Sequence, residues 1–223
     1  MPARRPDDHR SRAKSPPGER ESRANTNVRE TGVSDMNLQE VAARLEITDV
    51  LHRYARAMDR MDAELALSCW HPGGTDDHAP LYSGSAEGFV EWLWPVHAAM
   101  VMTRHVISNI LIEVDGDRAG TESYWTVTLR MTAEGGALHD IIGQGRYVDH
   151  FERRNGVWAI VHRQSLHDWD RIDPVDRTMA SEDAAVEVVP NNPDAAPKTV
   201  ARDRSDYSYE VLLGRPQQGD TAG

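Results

Sequence analysis

Cysteine is all but missing from these 223 residues. Cys69 stands alone, which excludes an intramolecular disulfide and a cysteine-built metal site. Its setting in Ala66-Leu67-Ser68-Cys69-Trp70 predicts packing rather than nucleophilic chemistry. Long apolar runs are missing too. Nothing approaches the roughly 18 residues of a bilayer span, and no apolar signal-peptide core stands near the N-terminus, so no membrane partner and a cytoplasmic address are expected. Phosphate loops, nucleophile elbows and internal repeats are lacking as well. Gly143-Gln144-Gly145 has no third glycine and falls inside a predicted strand. Ten histidines include His162, His167 beside Asp168, and His139 beside Asp140. None has a recognised ligand spacing, and adjacent strand residues face opposite ways, so neither metal nor cofactor is expected.

Positive charge is scarce where it would matter. The chain carries −11, but residues 1–30 hold eight Lys/Arg against five Asp/Glu, leaving 17 basic and 31 acidic residues, a formal −14, elsewhere. Such a surface repels phosphate backbones, which argues against nucleic acid and for small organic ligands.

What is present suits one core. A hydrophobic fraction of 39% with six Trp and eight Met fills an interior, and both ends read as tails. Residues 1–35, rich in Arg, Ser, Pro and Glu without a hydrophobic period, are expected to be a disordered N-terminal tail. Because the ordered pattern begins directly after Met36, translation is expected to start there. From Asn37 to Met61 the spacing is helical, with Ile47, Val50, Leu51, Tyr54, Ala55 and Met58 on one stripe. Asp62 is placed to cap a short helix through Leu65, Leu67 and Trp70, ending before Pro72-Gly73-Gly74. A third helix is expected from Ala86 to about Met100, kinked or broken at Pro95.

The period then becomes two. Arg104 to Val114 and Ala119 to Met131 flank the turn Asp115-Gly116-Asp117; Leu138 to Arg153 and Val157 to Leu166 flank Arg154-Asn155-Gly156. Helices followed by an antiparallel meander make the fold class α+β. The domain is expected over 37–170, with 171–223 a polar, Pro-dotted C-terminal wrapping tail anchored by Tyr207, Tyr209, Val211, Leu212 and Leu213.

Three stretches carry a family resemblance: Ile47 through Asp62 (ITDVLHRYARAMDRMD), Thr103-Arg104-His105, and Gly145-Arg146-Tyr147-Val148-Asp149 with Glu152 through Trp158. Together they resemble the SnoaL-like branch of the nuclear transport factor 2-like superfamily, with its scytalone dehydratase, hexachlorocyclohexane dehydrochlorinase and bile-acid dehydratases. The resemblance implies a cone-shaped fold in which three N-terminal helices pack on a curved, mainly antiparallel sheet of four to six strands. It also implies an Asp near the end of the first long helix paired with a His at the start of the first long strand, and a basic residue late in the last strand. Here these are Asp59, His105 and Arg163. Tyr54 stands where the dehydrochlorinase has a Lys, which speaks against halide elimination and leaves dehydration or isomerisation open.

Spacing alone leaves each of these residues two roles. Asp59 sits at the edge of the apolar stripe, as a solvated helix-end acid or an inward one. His105 shares a strand face with Ile107, Asn109 and Leu111, where a structural hydrogen-bonder is equally consistent. Arg163 serves as a surface ion-pair partner or stabilises a developing oxyanion. If Asp59 and His105 meet, the carboxylate fixes the imidazole tautomer and leaves the other nitrogen to take a proton from carbon. Tyr54 then polarises a carbonyl, and Trp92, Tyr124, Trp125, Tyr147 and Asn109 are the candidate substrate-binding residues. Gly143 and Gly145 leave a strand face bare, for a ligand or for a crossing helix.

The expected activity is that of a cofactor-independent, dehydratase-like lyase or isomerase acting on a small hydrophobic cyclic, polyketide or steroid-like compound. The alternatives are a non-catalytic β-type subunit similar to those of ring-hydroxylating oxygenases, and a ligand-binding module. With Trp125, Val127 and Leu129 assigned to an uncovered sheet face, self-association as a homo-oligomer, trimer or dimer, is expected. The tail is expected to act as a lid over the pocket or a clasp on a neighbouring subunit.

Overall fold

The computed structural model describes residues 37–176 and 200–212. The expectations for the N-terminal tail, the start at Met36 and Leu213 lie outside these residues. Helix α1 (Leu38–Asp59) begins where the Asn37 side chain accepts the Glu40 N–H at 2.9 Å. Its stripe of Ile47, Val50, Leu51, Tyr54 and Met58 is no more than 1% exposed and packs against the sheet. Asp62 caps α2 (Ala63–Leu67) by accepting the Leu65 N–H at 3.1 Å. Helix α3 (Ala86–Ala98), capped by Ser85, runs through Pro95.

The α2 helix stops short of Trp70. Trp70 instead opens β1 (Trp70–His78), which pairs antiparallel with β2 (Tyr82–Ser85) and parallel with the last strand. The Pro72-Gly73-Gly74 segment reads as a loop because proline and glycine weaken a strand. The structure accommodates it as a register shift between Trp70 and Thr75, with Gly73 at φ +79°. Strands β3 (Met102–Asp115), β4 (Arg118–Thr132), β5 (Leu138–Arg154) and β6 (Val157–Pro174) form the expected meander. The sheet order is β2-β1-β6-β5-β4-β3. The Asn155-Gly156 turn has both φ values positive, as a tight hairpin connection requires. Strand β6 continues eight residues beyond Leu166.

A bulge decides which residues of β3 face α1. Asn109 sits at φ +48°, and the pairing with β4 shifts between Ser108 and Leu111. The strand therefore changes face in mid-course. Ile107 and then Ile110, Ile112 and Val114 join the core, while Leu111 is 61% exposed. On β4, Thr121, Ser123 and Trp125 are buried and Val127 packs against the core. Trp125 and Val127 thus lie on the covered face of the sheet, not the uncovered one. The indole of Trp125 fills the space above Gly143 and Gly145: a Cβ at Gly145 would stand 2.5 Å from the ring and 2.1 Å from the Leu166 carbonyl oxygen. The bare strip makes room for a tryptophan.

The described end of the tail folds back on its own chain. Arg204 reaches Asp62 at 3.3 Å and Glu64 at 2.8 Å, the Tyr209 hydroxyl donates to Asp62 at 2.9 Å, and Arg56 donates to Ser208 at 2.9 Å. Helix α4 (Ser208–Val211) is a single turn at the end of this strap.

Candidate active site

Asp59 is the last residue of α1, and His105 lies on the covered face of β3, opposite Val127. The two meet twice. Asp59 Oδ1 is 2.7 Å from His105 Nδ1, and the His105 backbone N–H donates to the carboxylate at 3.1 and 3.0 Å. The side chains are 15% and 8% exposed, so the pair is shielded yet touches solvent. With Nδ1 donating to the carboxylate, Nε2 carries the free lone pair.

His97, near the end of α3, places its ring 5.8 Å from that of His105. Burial chiefly, with the nearby His105 and Arg202, pushes its pKa down to about 4, so its imidazole is neutral near pH 7. Arg202 comes from the strap and donates to the Met100 carbonyl at 2.6 Å and to Thr103 Oγ1 at 3.3 Å.

Arg163 lies elsewhere. It is fully buried, forked onto Asp149 at 2.8 and 2.7 Å, with its guanidinium 4.1 Å from the Tyr54 ring centroid and 4.0 Å from that of Tyr147. Burial alone would lower its pKa; the Asp149 carboxylate more than offsets this and keeps it a cation. Arg163 and Asp149 share a row with Thr121, whereas His105 shares a row with Val127. Six residues of β4 separate those rows, about 20 Å at the rise of a strand. Arg163 spends its forked bonds on Asp149 and, among the described residues, makes none to Asp59 or His105. Tyr54 belongs to the same deep layer: it is 1% exposed, its pKa is raised chiefly by burial, and its ring meets that of Tyr147 edge-on at 5.7 Å.

The expected substrate-binding residues divide by face. Trp125 and Tyr147 point inward, 5.9 Å apart. Tyr124 is on the opposite face of the sheet and 42% exposed, as the alternation of β4 requires. Asn109 is spent on the bulge, where its tolerance of positive φ explains its presence, and it faces solvent. Trp92 stacks on Tyr82 at 5.7 Å on the α3 side. An open apolar groove of about 570 Å³ between α2 and α3, lined by Ala63, Leu67, Val90, Trp94 and Ala98, contains none of the expected site residues. Cys69 is buried, with its thiol pushed up to about 11 by burial, which fits packing.

Spacing did not single out four further polar residues. His97 falls on the buried face of α3, seven residues after Val90, a signal that helical periodicity contains. Asp76 and His78, hydrogen-bonded to each other on β1, were hidden with the strand itself. Arg202 gave no local signal. Among the described residues, no three His, Cys, Asp or Glu side chains gather as metal ligands would, and no helix is long and apolar enough to cross a membrane.

Known proteins share this architecture. A hexachlorocyclohexane dehydrochlorinase of Novosphingobium barchaimii superposes with a TM-score of 0.54 at 19% identity, over 70% of this chain and 99% of that one. A provisionally assigned scytalone dehydratase of Novosphingobium aromaticivorans gives 0.55 at 20%, over 64% and 99%. A protein of Kribbella flavida gives 0.54 at 18%, over 59% and 94%. These likenesses show the fold. No curated protein matches the chain by sequence. The family model of the SnoaL-like domain matches residues 39–164, a span holding both Asp59 and His105, and the chain belongs to that family.

Proposed function

We propose that the protein is a cofactor-independent lyase or isomerase, dehydratase-like, acting on a small hydrophobic cyclic compound with an acidic C–H beside a carbonyl. The observation that carries this reading is the double hold of Asp59 on His105, through ring Nδ1 and through the backbone N–H. The hold orients the ring and fixes its tautomer, so Nε2 is the base. It takes the proton from carbon; the C–H electron pair becomes a C=C bond, and either a β-hydroxyl departs as hydroxide or the proton returns at another carbon. In the first course the proton on His105 and the hydroxide together make the water lost. Asp59 remains a carboxylate and stabilises the imidazolium.

Arg163 and Tyr54 have no part in this reading, because both are locked in the deep layer around Asp149. The test is turnover of cyclic β-hydroxy ketones by the wild type, Asp59→Asn and His105→Gln. Both variants should fold and lose about 10²–10⁴ in kcat, the usual contribution of a positioned base. Unchanged kcat in either variant refutes the assignment.

A further inference from the structure

Proton removal beside a carbonyl leaves negative charge on oxygen, and a base needs a donor at that oxygen to be effective. Arg163, the basic residue expected to supply it, is about 20 Å along β4 from the row of His105. From the strap we infer that Arg202 is the oxyanion-binding residue of this site. The inference rests on the reading of Asp59 and His105 as orienter and base.

Three observations carry it. First, the placement is built. The strap is anchored on both sides of the α1 terminus, by Arg204 on Asp62 and Glu64, Tyr209 on Asp62, Ser208 on Arg56, and Asp206 beside Arg60 at 3.4 Å. Asp206, itself 7% exposed, also accepts the Ala201 N–H at 3.2 Å, one residue before Arg202. Second, the guanidinium enters between the end of α3 and the start of β3. It bonds Met100, three residues past His97, and Thr103, which is buried on the face of β3 that also carries His105. The Asp59 carboxylate acts on its charge, and its charge in turn helps to lower the pKa of His97. Third, donors are left over. A guanidinium has five N–H groups; among the described residues Nη1 bonds Met100 and Nη2 bonds Thr103, which leaves a second N–H on each of these nitrogens. A charged donor without an acceptor is costly, and an oxygen of the substrate supplies one. With Arg202 cationic, His97 neutral and one carboxylate present, the site favours a ligand oxygen that becomes negative, an enolate or phenolate.

The enolate step is balanced within the site. The C–H bond breaks, its proton goes to His105 Nε2, a C=C bond forms, and the carbonyl pair moves onto the oxygen held by Arg202.

The experiment uses 4-nitrophenol, whose ionised and neutral forms absorb differently, and nitrobenzene as its neutral counterpart. Titrated at a pH where free 4-nitrophenol is mostly protonated, the wild-type full chain should bind it as phenolate. Arg202→Gln should weaken phenolate binding by about tenfold or more, the worth of one charge-assisted hydrogen bond, and leave nitrobenzene binding unchanged. Arg202→Lys should restore part of the loss. Arg153→Ala, which breaks an exposed ion pair with Asp117 at the β3–β4 turn, should bind phenolate as the wild type does. Phenolate binding unaffected in Arg202→Gln, lost equally in Arg153→Ala, or absent from the wild type overturns the inference. Asp59→Asn removes a neighbouring negative charge and should strengthen phenolate binding. Full phenolate binding together with undiminished turnover in His105→Gln would remove the base and leave the anion site standing.

Discussion

Arg163 and Asp149 form a two-point ion pair with neither side chain exposed to solvent, at 2.7 and 2.8 Å. Breaking such a pair strands a charge. Asp149→Asn should destabilise the fold by about 3–5 kcal/mol in urea unfolding. A loss below about 1 kcal/mol would mean that Asp76, beside Arg163 in register and with Oδ2 unpartnered among the described residues, neutralises it instead.

Trp125 and Gly145 depend on each other in the same way. Gly145→Ala drives a methyl group against the Trp125 ring and the Leu166 carbonyl, and that backbone oxygen cannot rotate aside. About 1–3 kcal/mol of overpacking cost is expected. Gly120→Ala meets nothing within 4 Å and should be neutral or slightly stabilising. Equal thermal midpoints for the two variants would contradict the packing described.

His97 makes stability depend on pH. Its folded pKa, about 4, lies below the ordinary 6.5, chiefly through burial. Between those values the unfolded chain binds a proton that the folded chain refuses. Stability is therefore full above 6.5 and is lost as pH falls through about 4, by up to about 3 kcal/mol. His97→Gln should flatten that part of the curve in urea midpoints taken across the window. A slope identical to that of the wild type would show that His97 protonates in the folded state.

The strap can be read by proteolysis. Arg56 donates to Ser208 and lies 4.3 Å from the Tyr209 ring centroid. Arg56→Ala removes both contacts, and trypsin should then cut after Arg204 several-fold faster, in proportion to a lost 1–2 kcal/mol or about that. An unchanged cutting rate would show that Arg204 and Tyr209 suffice to hold the segment.

Much of the fold was legible because the chain keeps its periods. The stripe from Ile47 to Met58 and the Asn155-Gly156 hairpin match the structure closely. Strand β1 was not legible. Thr75-Asp76-Asp77-His78 has no apolar alternation, since Asp76 is buried as part of a polar cluster with His78. Asn109 misled for a related reason: one residue at positive φ reverses every face after it, and spacing cannot announce a bulge. The pairing of Asp59 with His105 could be drawn only from the family resemblance. Arg163 sits on the covered face of β6, and its pairing with Asp149 depends on a register that one strand alone does not reveal. Arg202 stands 97 positions after His105 and is brought there by contacts that no local pattern encodes.

The most direct measurement of the central claim follows deuterium from solvent into a cyclic ketone such as 2-tetralone by NMR. A base at His105 Nε2 predicts catalysed exchange at the carbon beside the carbonyl in the wild type. It predicts a loss of about 10²–10⁴ in rate in His105→Gln, with the fold intact. Exchange by His105→Gln at the wild-type rate would contradict the account.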